Sequence, residues 1–331
     1  MSDNSRHVKN TYGERIFRNV GFAVIFLVSS LICGCGATNL ELNRPNLIAV
    51  SPDGSRLFIS DSRNFRILVV DREFRLVREI PYSSEQAVWG MNPGTQGELV
   101  ITDNRLEKAT FDFKEKRANA VAEIIFMGPD GGTTSALTWR SEKGPLIYPR
   151  QVLPLADGGV AVTDLRVNKV LVFERNGTLR MSIGEYGDAD GRLYCPSDVL
   201  TDRDGRFLVV DSYNHRLCEF DRNGAWLRTI GRKGTGQGEL MFPQNAARDA
   251  NGRIYCTELG NMRVSVFEAD GRFVRHIPMP TASGSNGLYE LFGIACATAP
   301  AELFVADSIN SSIYVFDLDG NHRGTITRLR P

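Results

Sequence analysis

Three observations predict an all-β chain, a six-bladed β-propeller of four-stranded antiparallel blades. Two aliphatic runs around an acidic loop occur six times. Asn-Gly and Asp-Gly pairs stand at fixed distances from those acids. Beyond the N-terminal segment, no stretch shows the 3.6-residue periodicity of an amphipathic helix.

The clearest copy is Phe207–Phe220: an aliphatic run ends at Asp211, a polar loop holds Asn214 and Arg216, and a second run ends at Phe220. Its relatives are Leu57–Val70 around Asp61, Leu99–Phe111 around Asp103, Val160–Phe173 around Asp164, Ile254–Phe267 around Glu258 and Leu303–Phe316 around Asp307. The acids are spaced by 42, 61, 47, 47 and 49 residues. Asn176, Asn223, Asp270 and Asp319, each followed by Gly, stand 12 residues after their acid. Asp157, Asp204 and Asn251, also followed by Gly, stand 7 residues before it. Such pairs supply the positive φ of two-residue hairpin turns. Each repeat therefore reads strand, Gly turn, strand, acidic loop, strand, Gly turn, strand. A single four-stranded meander cannot bury both its faces, whereas meanders set radially cover one another. Six copies imply six blades over about residues 41–331.

Pro196–Phe220 also resembles the NHL repeat: a Pro-led strand, a Gly turn, an aliphatic strand ending in Asp211, then Asn214, His215 and Arg216. The resemblance covers nearly all of the chain after its N-terminal segment. It is weakest in blade 2, where Leu106 replaces the Asn, and blade 5 carries Glu258 for Asp.

A residue that recurs in every blade serves the blade. Asp and Asn cap tight loops, and Arg66, Lys169, Arg216 and Arg263 stand five residues after an acid, where they can pair with it. Function is therefore sought where the blades differ. The residue two after the acid is Arg63, Arg105 and Arg166 in blades 1–3, but Tyr213, Gly260 and Ile309 in blades 4–6. In a meander that loop opens on the face of the inter-blade linkers. Three arginines on one arc offer planar donors to carboxylates or phosphates; ordinary solvated charge is the alternative. The 61-residue spacing implies extra residues between blades 2 and 3, within Phe113–Tyr148, expected to extend the linker onto the same face. Trp139 in that stretch is a candidate anchor, or packs on its own blade.

No catalytic constellation, cofactor motif or metal set is expected. His215, His276 and His322 fall at radii that cannot converge to hold zinc, unlike the propeller lyases that make amidated peptides. Asp188 and Asp190 resemble the start of a calcium loop that lacks its later ligands, so a Gly turn is expected there. Cys218, Cys256 and Cys296 lie in strand runs as buried thiols, and Cys195, ahead of Pro196, is placed to pair across a blade boundary.

The N-terminus is different. Arg6, Lys9, Arg15 and Arg18 precede an apolar run, Val20–Ile32, which ends in small residues. This is the layout of a secretory signal; an uncleaved anchor or an internal apolar helix are the alternatives, although 13 residues fall short of the ~20 that span a bilayer. Its end resembles a bacterial lipobox, with Ile32 and Gly34 placed for Cys35 as the lipid acceptor. Residues 1–34 are thus expected to be a lipoprotein signal peptide, 35–44 a short tether and 45–331 the propeller. With 39 basic and 39 acidic residues in all, the chain lacks the basic excess of a nucleic-acid binder. At 42% hydrophobic and 24% charged it is also neither disordered nor collagen-like.

The resulting expectation is a membrane-tethered, non-enzymatic binding or scaffold propeller of the bacterial cell envelope. It would present a loop face to a protein, peptide or glycan, with Arg63, Arg105, Arg166, Tyr213 and Trp139 as candidate contacts. By resemblance to sorting signals, Gly36 after the lipid Cys leans toward the outer membrane in a Gram-negative host. The alternative is a metal-dependent hydrolase or lyase with its site in the central channel.

Overall fold

A computed structural model describes residues 40–83, 88–94, 97–106, 120–140, 146–280 and 287–330. The expected signal peptide and Cys35 lie outside the described residues. Among the described residues no helix is long and apolar enough to cross a membrane.

The chain from Leu40 onward forms one unit of six four-stranded antiparallel sheets, each built from consecutive strands. The first strands are Pro45–Val50, Val88–Pro93, Pro149–Pro154, Pro196–Thr201, Pro243–Arg248 and Leu291–Thr298. Each first strand packs against the first strands of both neighbouring blades, closing an inner ring around the axis. The outer strands are Leu76–Pro81, Thr133–Arg140, Leu179–Ile183, Trp226–Ile230, Phe273–Pro278 and His322–Ile326.

The core is divided the same way. Six apolar clusters each fill one boundary between adjacent blades. Between blades 3 and 4, for example, Val170, Val172 and Ile183 meet Val199, Phe207 and Phe220. Period-2 alternation sends neighbouring side chains to opposite faces of a blade, and both faces are covered, so the middle strands read as unbroken apolar runs.

The Gly turns lie where the spacing puts them, but they are longer than two residues. Gly158 N–H bonds to Leu155 O at 3.0 Å, and Leu155 N–H to Gly159 O at 2.9 Å. Gly158 has φ 87° and its counterparts Gly177 and Gly224 have 86° and 84°. A tight turn followed by a left-handed Gly is the next commonest hairpin connection after the two-residue one.

The ring closes through the chain ends. Leu42 N–H bonds to Thr327 O, Leu329 N–H to Leu40 O, and Arg330 N–H to Phe74 O. Residues 40–42, part of the stretch 35–44 that the sequence assigns to the tether, thus line up against the C-terminal tail. Leu40, Leu42 and Leu329 are buried in the cluster between blades 6 and 1. Leu329→Ala should therefore cost about 2–4 kcal/mol, read as a fall in the denaturant midpoint; a loss below about 1 kcal/mol would show that the tail is not part of the closure.

The expansion of blade 2 differs from expectation. Its second and third strands, Leu99–Leu106 and Ala120–Met127, run on past the acid, and the extra residues lie between them at 107–119 rather than in the linker. Three residues after the acid, where most of the tight loops carry Asn, blade 2 has Leu106, and its strands continue. Gly128–Gly132 is the turn on the opposite face, with Gly131 N–H bonded to Gly128 O. Trp139 belongs to the outer strand, opposite Ala122, not to a linker loop.

Candidate functional site

The repeated acids are consumed by the blades. Asp211 Oδ1 accepts the Tyr194 N–H at 2.6 Å, and Oδ2 accepts Asn214 Nδ2 and Arg216 Nε, both at 2.8 Å. Asp61 takes Asn43 N–H, Asn64 and Arg66 in the same way. Glu258 takes Met241 N–H, Asn261 and Arg263. Each acid thus ties the incoming linker to its own loop. Asp164 differs: it binds the N–H groups of Ile147, Tyr148, Arg166 and Val167, and Lys169 is not among its partners.

The residue four after the acid ties the next blade. It has positive φ in Phe65, Asn168, His215, Met262 and Ser311. Asn168 Oδ1 accepts Cys195 N–H at 2.8 Å, and His215 Nδ1 accepts Phe242 N–H at 3.0 Å. Burial lowers the His215 pKa to about 4, which keeps the ring neutral and Nδ1 free to accept.

Of the arginine arc, Arg63 and Arg166 lie on the loops between second and third strands and are exposed. Neither guanidinium has a hydrogen-bond or ion-pair partner among the described residues. Arg105 is instead within the extended second strand of blade 2, opposite Val121, so the three do not share one loop position. Tyr213 is half-buried in an aromatic row. Its ring lies 5.0 Å from Tyr194 and 5.6 Å from Phe242, and Tyr194 lies 5.2 Å from Tyr186.

The two faces of the ring differ in kind. Among the described residues, six of the ten large apolar side chains left exposed sit on linkers or on the loops between second and third strands. They are Phe65, Tyr148, Tyr186, Tyr194, Leu288 and Ile309, with Tyr186 60%, Leu288 55% and Ile309 49% exposed. The other four lie on outer strands. The opposite face consists of polar turns closed by their own carboxylates; Asp202 Oδ1 binds the Asp204 and Arg206 N–H groups, for instance.

At the axis, every pairing between first and second strands breaks register just after the first strand begins, as between Pro196 and Asp198 or Val88 and Gly90. Such bulges re-aim side chains. In blade 3 the break re-aims Arg150. Its guanidinium lies 5.2 Å from the Trp89 ring centroid and 5.5 Å from that of Phe292, in the blade directly opposite. Asp198 is buried nearby, its Oδ1 accepting Val199 N–H and its Oδ2 Ala246 N–H. Burial pushes its pKa up to about 7 against the pull of those bonds and of Arg150. The first strands carry only this one carboxylate and no histidine. Sequence reasoning missed this position, although aligning the six first strands, four of which lead with Pro, would have shown Arg150 as the only charged residue at their second place.

His276 lies beside Ser265 and Glu258: Ser265 Oγ donates to Glu258 Oε1 and meets His276 Nδ1 at 2.9 Å. The serine is fully buried and stands between acid and imidazole, so it is neither reachable nor activated as a nucleophile. Cys195, Cys218, Cys256 and Cys296 are all free thiols, so Cys195 makes no bridge across the blade boundary. Burial holds their protons, pushing Cys195 to about 11 and Cys218 to about 12. Asp188 and Asp190 are exposed in the linker between blades 3 and 4. Among the described residues no three His, Cys, Asp or Glu side chains gather closely enough to hold a metal. A depression of about 510 Å³ is bordered by His276, Met279 and Tyr289.

Comparison with known proteins agrees with this architecture. A family described as a 6-bladed beta-propeller matches residues 195–281. No curated protein matches the sequence. A gluconolactonase from Xanthomonas campestris is 17% identical, over 84% of this chain and 86% of its own, with a TM-score of 0.59. A virginiamycin B lyase from Staphylococcus aureus is 14% identical, over 82% of this chain and 95% of its own, at 0.55. A protein of unknown function from Bacteroides caccae is 14% identical, over 72% of this chain and 83% of its own, at 0.54. A nidogen/laminin complex is also similar, so the six-bladed fold is shared by enzymes and binding proteins alike.

Proposed function

We propose that the chain is a non-enzymatic binding or scaffold propeller of the NHL kind. It is held at the bacterial cell envelope by a lipid on Cys35 and presents its linker face to a protein, peptide or glycan. The observation that carries this reading is the one-sided exposure. Six of the ten large apolar side chains exposed among the described residues, with the unpaired guanidinium groups of Arg63 and Arg166, lie on one face of the ring, and the opposite face is built of polar turns. Exposed apolar surface gathered on one face marks an interaction site. The axis supports binding rather than metal chemistry, since its first strands offer Asp198 as their sole carboxylate.

The test is comparative capture from envelope extract. Arg63→Ser with Arg166→Ser and Tyr186→Ser should lower recovery of a specific partner at least tenfold. Arg222→Ser, on the polar turn face, should leave it unchanged. Equal recovery from both variants removes the linker face as the contact. Cys35→Ser should move the protein out of the membrane fraction. A divalent ion retained stoichiometrically through dialysis would instead favour the hydrolase or lyase reading.

A further inference from the structure

We propose that Arg150 forms a carboxylate-binding subsite on the axis of the ring, at the mouth that opens on the linker face. The ligand is an organic carboxylate carried by a flat, apolar group. The inference deepens the binding reading and rests on it only for the choice of face.

Hydrogen-bond accounting carries the argument. Arg150 is only 7% exposed, yet its guanidinium makes a single polar contact, a long 3.4 Å bond from Nη1 to Trp89 O. A guanidinium carries five N–H donors, so about four remain without a protein partner among the described residues. No carboxylate stands within ion-pair distance. Asp198, the one acid of the inner ring, has both oxygens occupied by the backbone N–H groups of Val199 and Ala246. The nitrogens without a protein partner are open to the channel rather than sealed, so water holds them until a ligand takes its place.

The surroundings select the ligand. Trp89 and Phe292 hold the guanidinium against their rings and leave its hydrogen-bonding edge open. That edge is a planar fork which matches a carboxylate in bidentate fashion. Asp198 and the single positive charge disfavour a dianion such as phosphate. The aromatic walls favour a flat apolar body next to the anionic head. Asn46, at the equivalent place in blade 1, adds a buried Oδ1 with no partner. Its amide, turned over, would present a donor at the same level.

The test titrates the full chain with 4-fluorobenzoate and with neutral 4-fluorobenzamide, followed by fluorine NMR line broadening. The acid should bind saturably and the amide at least tenfold more weakly. Arg150→Gln should weaken the acid at least tenfold, while Arg150→Lys, which keeps the charge and loses the fork, should weaken it severalfold. Arg222→Ser, on the polar turn face, should leave it unchanged. Equal binding of acid and amide, no saturable binding of the acid, or full retention in a folded Arg150→Gln would each overturn the proposal. The comparison on the unaltered chain decides the matter even where a variant fails to fold. Because the probe is a small molecule, its failure leaves partner capture by the linker face untouched.

Discussion

Asp211→Ala should destabilise the protein by about 3–5 kcal/mol, because it leaves a buried cation and several donors without a partner. Asp211 is fully buried and receives Tyr194 N–H from the linker, Asn214 from its own loop and Arg216 from the third strand, with a weaker bond from the Cys218 thiol. Arg216 is itself buried and continues the network to Ala189 O and Arg192 O at 2.9 and 2.8 Å. Burial raises the acid's pKa against the pull of those bonds. Asp211→Asn, which keeps an acceptor oxygen but loses the charge, should cost less. Arg222→Ala on an exposed turn should fall within about 0.5 kcal/mol of the parent. Chemical denaturation at neutral pH measures all three. A loss below about 1 kcal/mol for Asp211→Ala would mean that the linker holds its course without the acid.

The second large effect depends on pH and belongs to Asp198. Its pKa rises from 3.8 in the unfolded chain to about 7 in the fold. Between those values the folded protein keeps a proton that the unfolded chain has released. Stability contributed by this group is therefore fully present below about pH 4 and is lost as pH rises through 7. Over that range the loss is on the order of 4 kcal/mol. Asp198→Asn has no such proton. Its stability relative to the parent should climb between pH 4 and pH 8, measured by urea midpoints at a series of pH values. Parallel curves for the two proteins would show that Asp198 is ionised in the fold throughout.

The architecture was legible because its signals repeat. The left-handed Gly of each turn and the acid at each second strand are local requirements, and they recur with fixed offsets that need no tertiary information. Blade 2 misled where those signals thin out. Asn104 and Arg105 follow Asp103 out of register and Leu106 stands where the loop Asn belongs, so spacing alone has to locate the extra residues, and spacing cannot tell a lengthened hairpin from a lengthened linker. Spacing consequently places Arg105 in a loop although it belongs to a strand, and leaves Trp139 open between a loop anchor and its own blade, in whose outer strand it lies. The axial position was hidden for a different reason. A bulge decides where Arg150 points, and bulges follow from how the first strand leaves the linker, not from the local pattern of apolar residues. The aromatic row at Tyr186, Tyr194 and Tyr213 likewise draws together two linker residues and a loop residue that are distant in the chain.

The pairing of residues 40–42 with 327–329 makes the propeller from Leu40 to Arg330 a circle in all but one link. A circle has no preferred starting point, so the order in which the blades are encoded should be largely interchangeable. A permutant that joins the present ends through a short flexible linker and opens at the exposed turn around Asn223 should fold to the same ring, with a melting temperature within a few degrees of the parent. Failure of that permutant, with the parent stable under the same conditions, would show that blade 1 must form before the rest can assemble upon it.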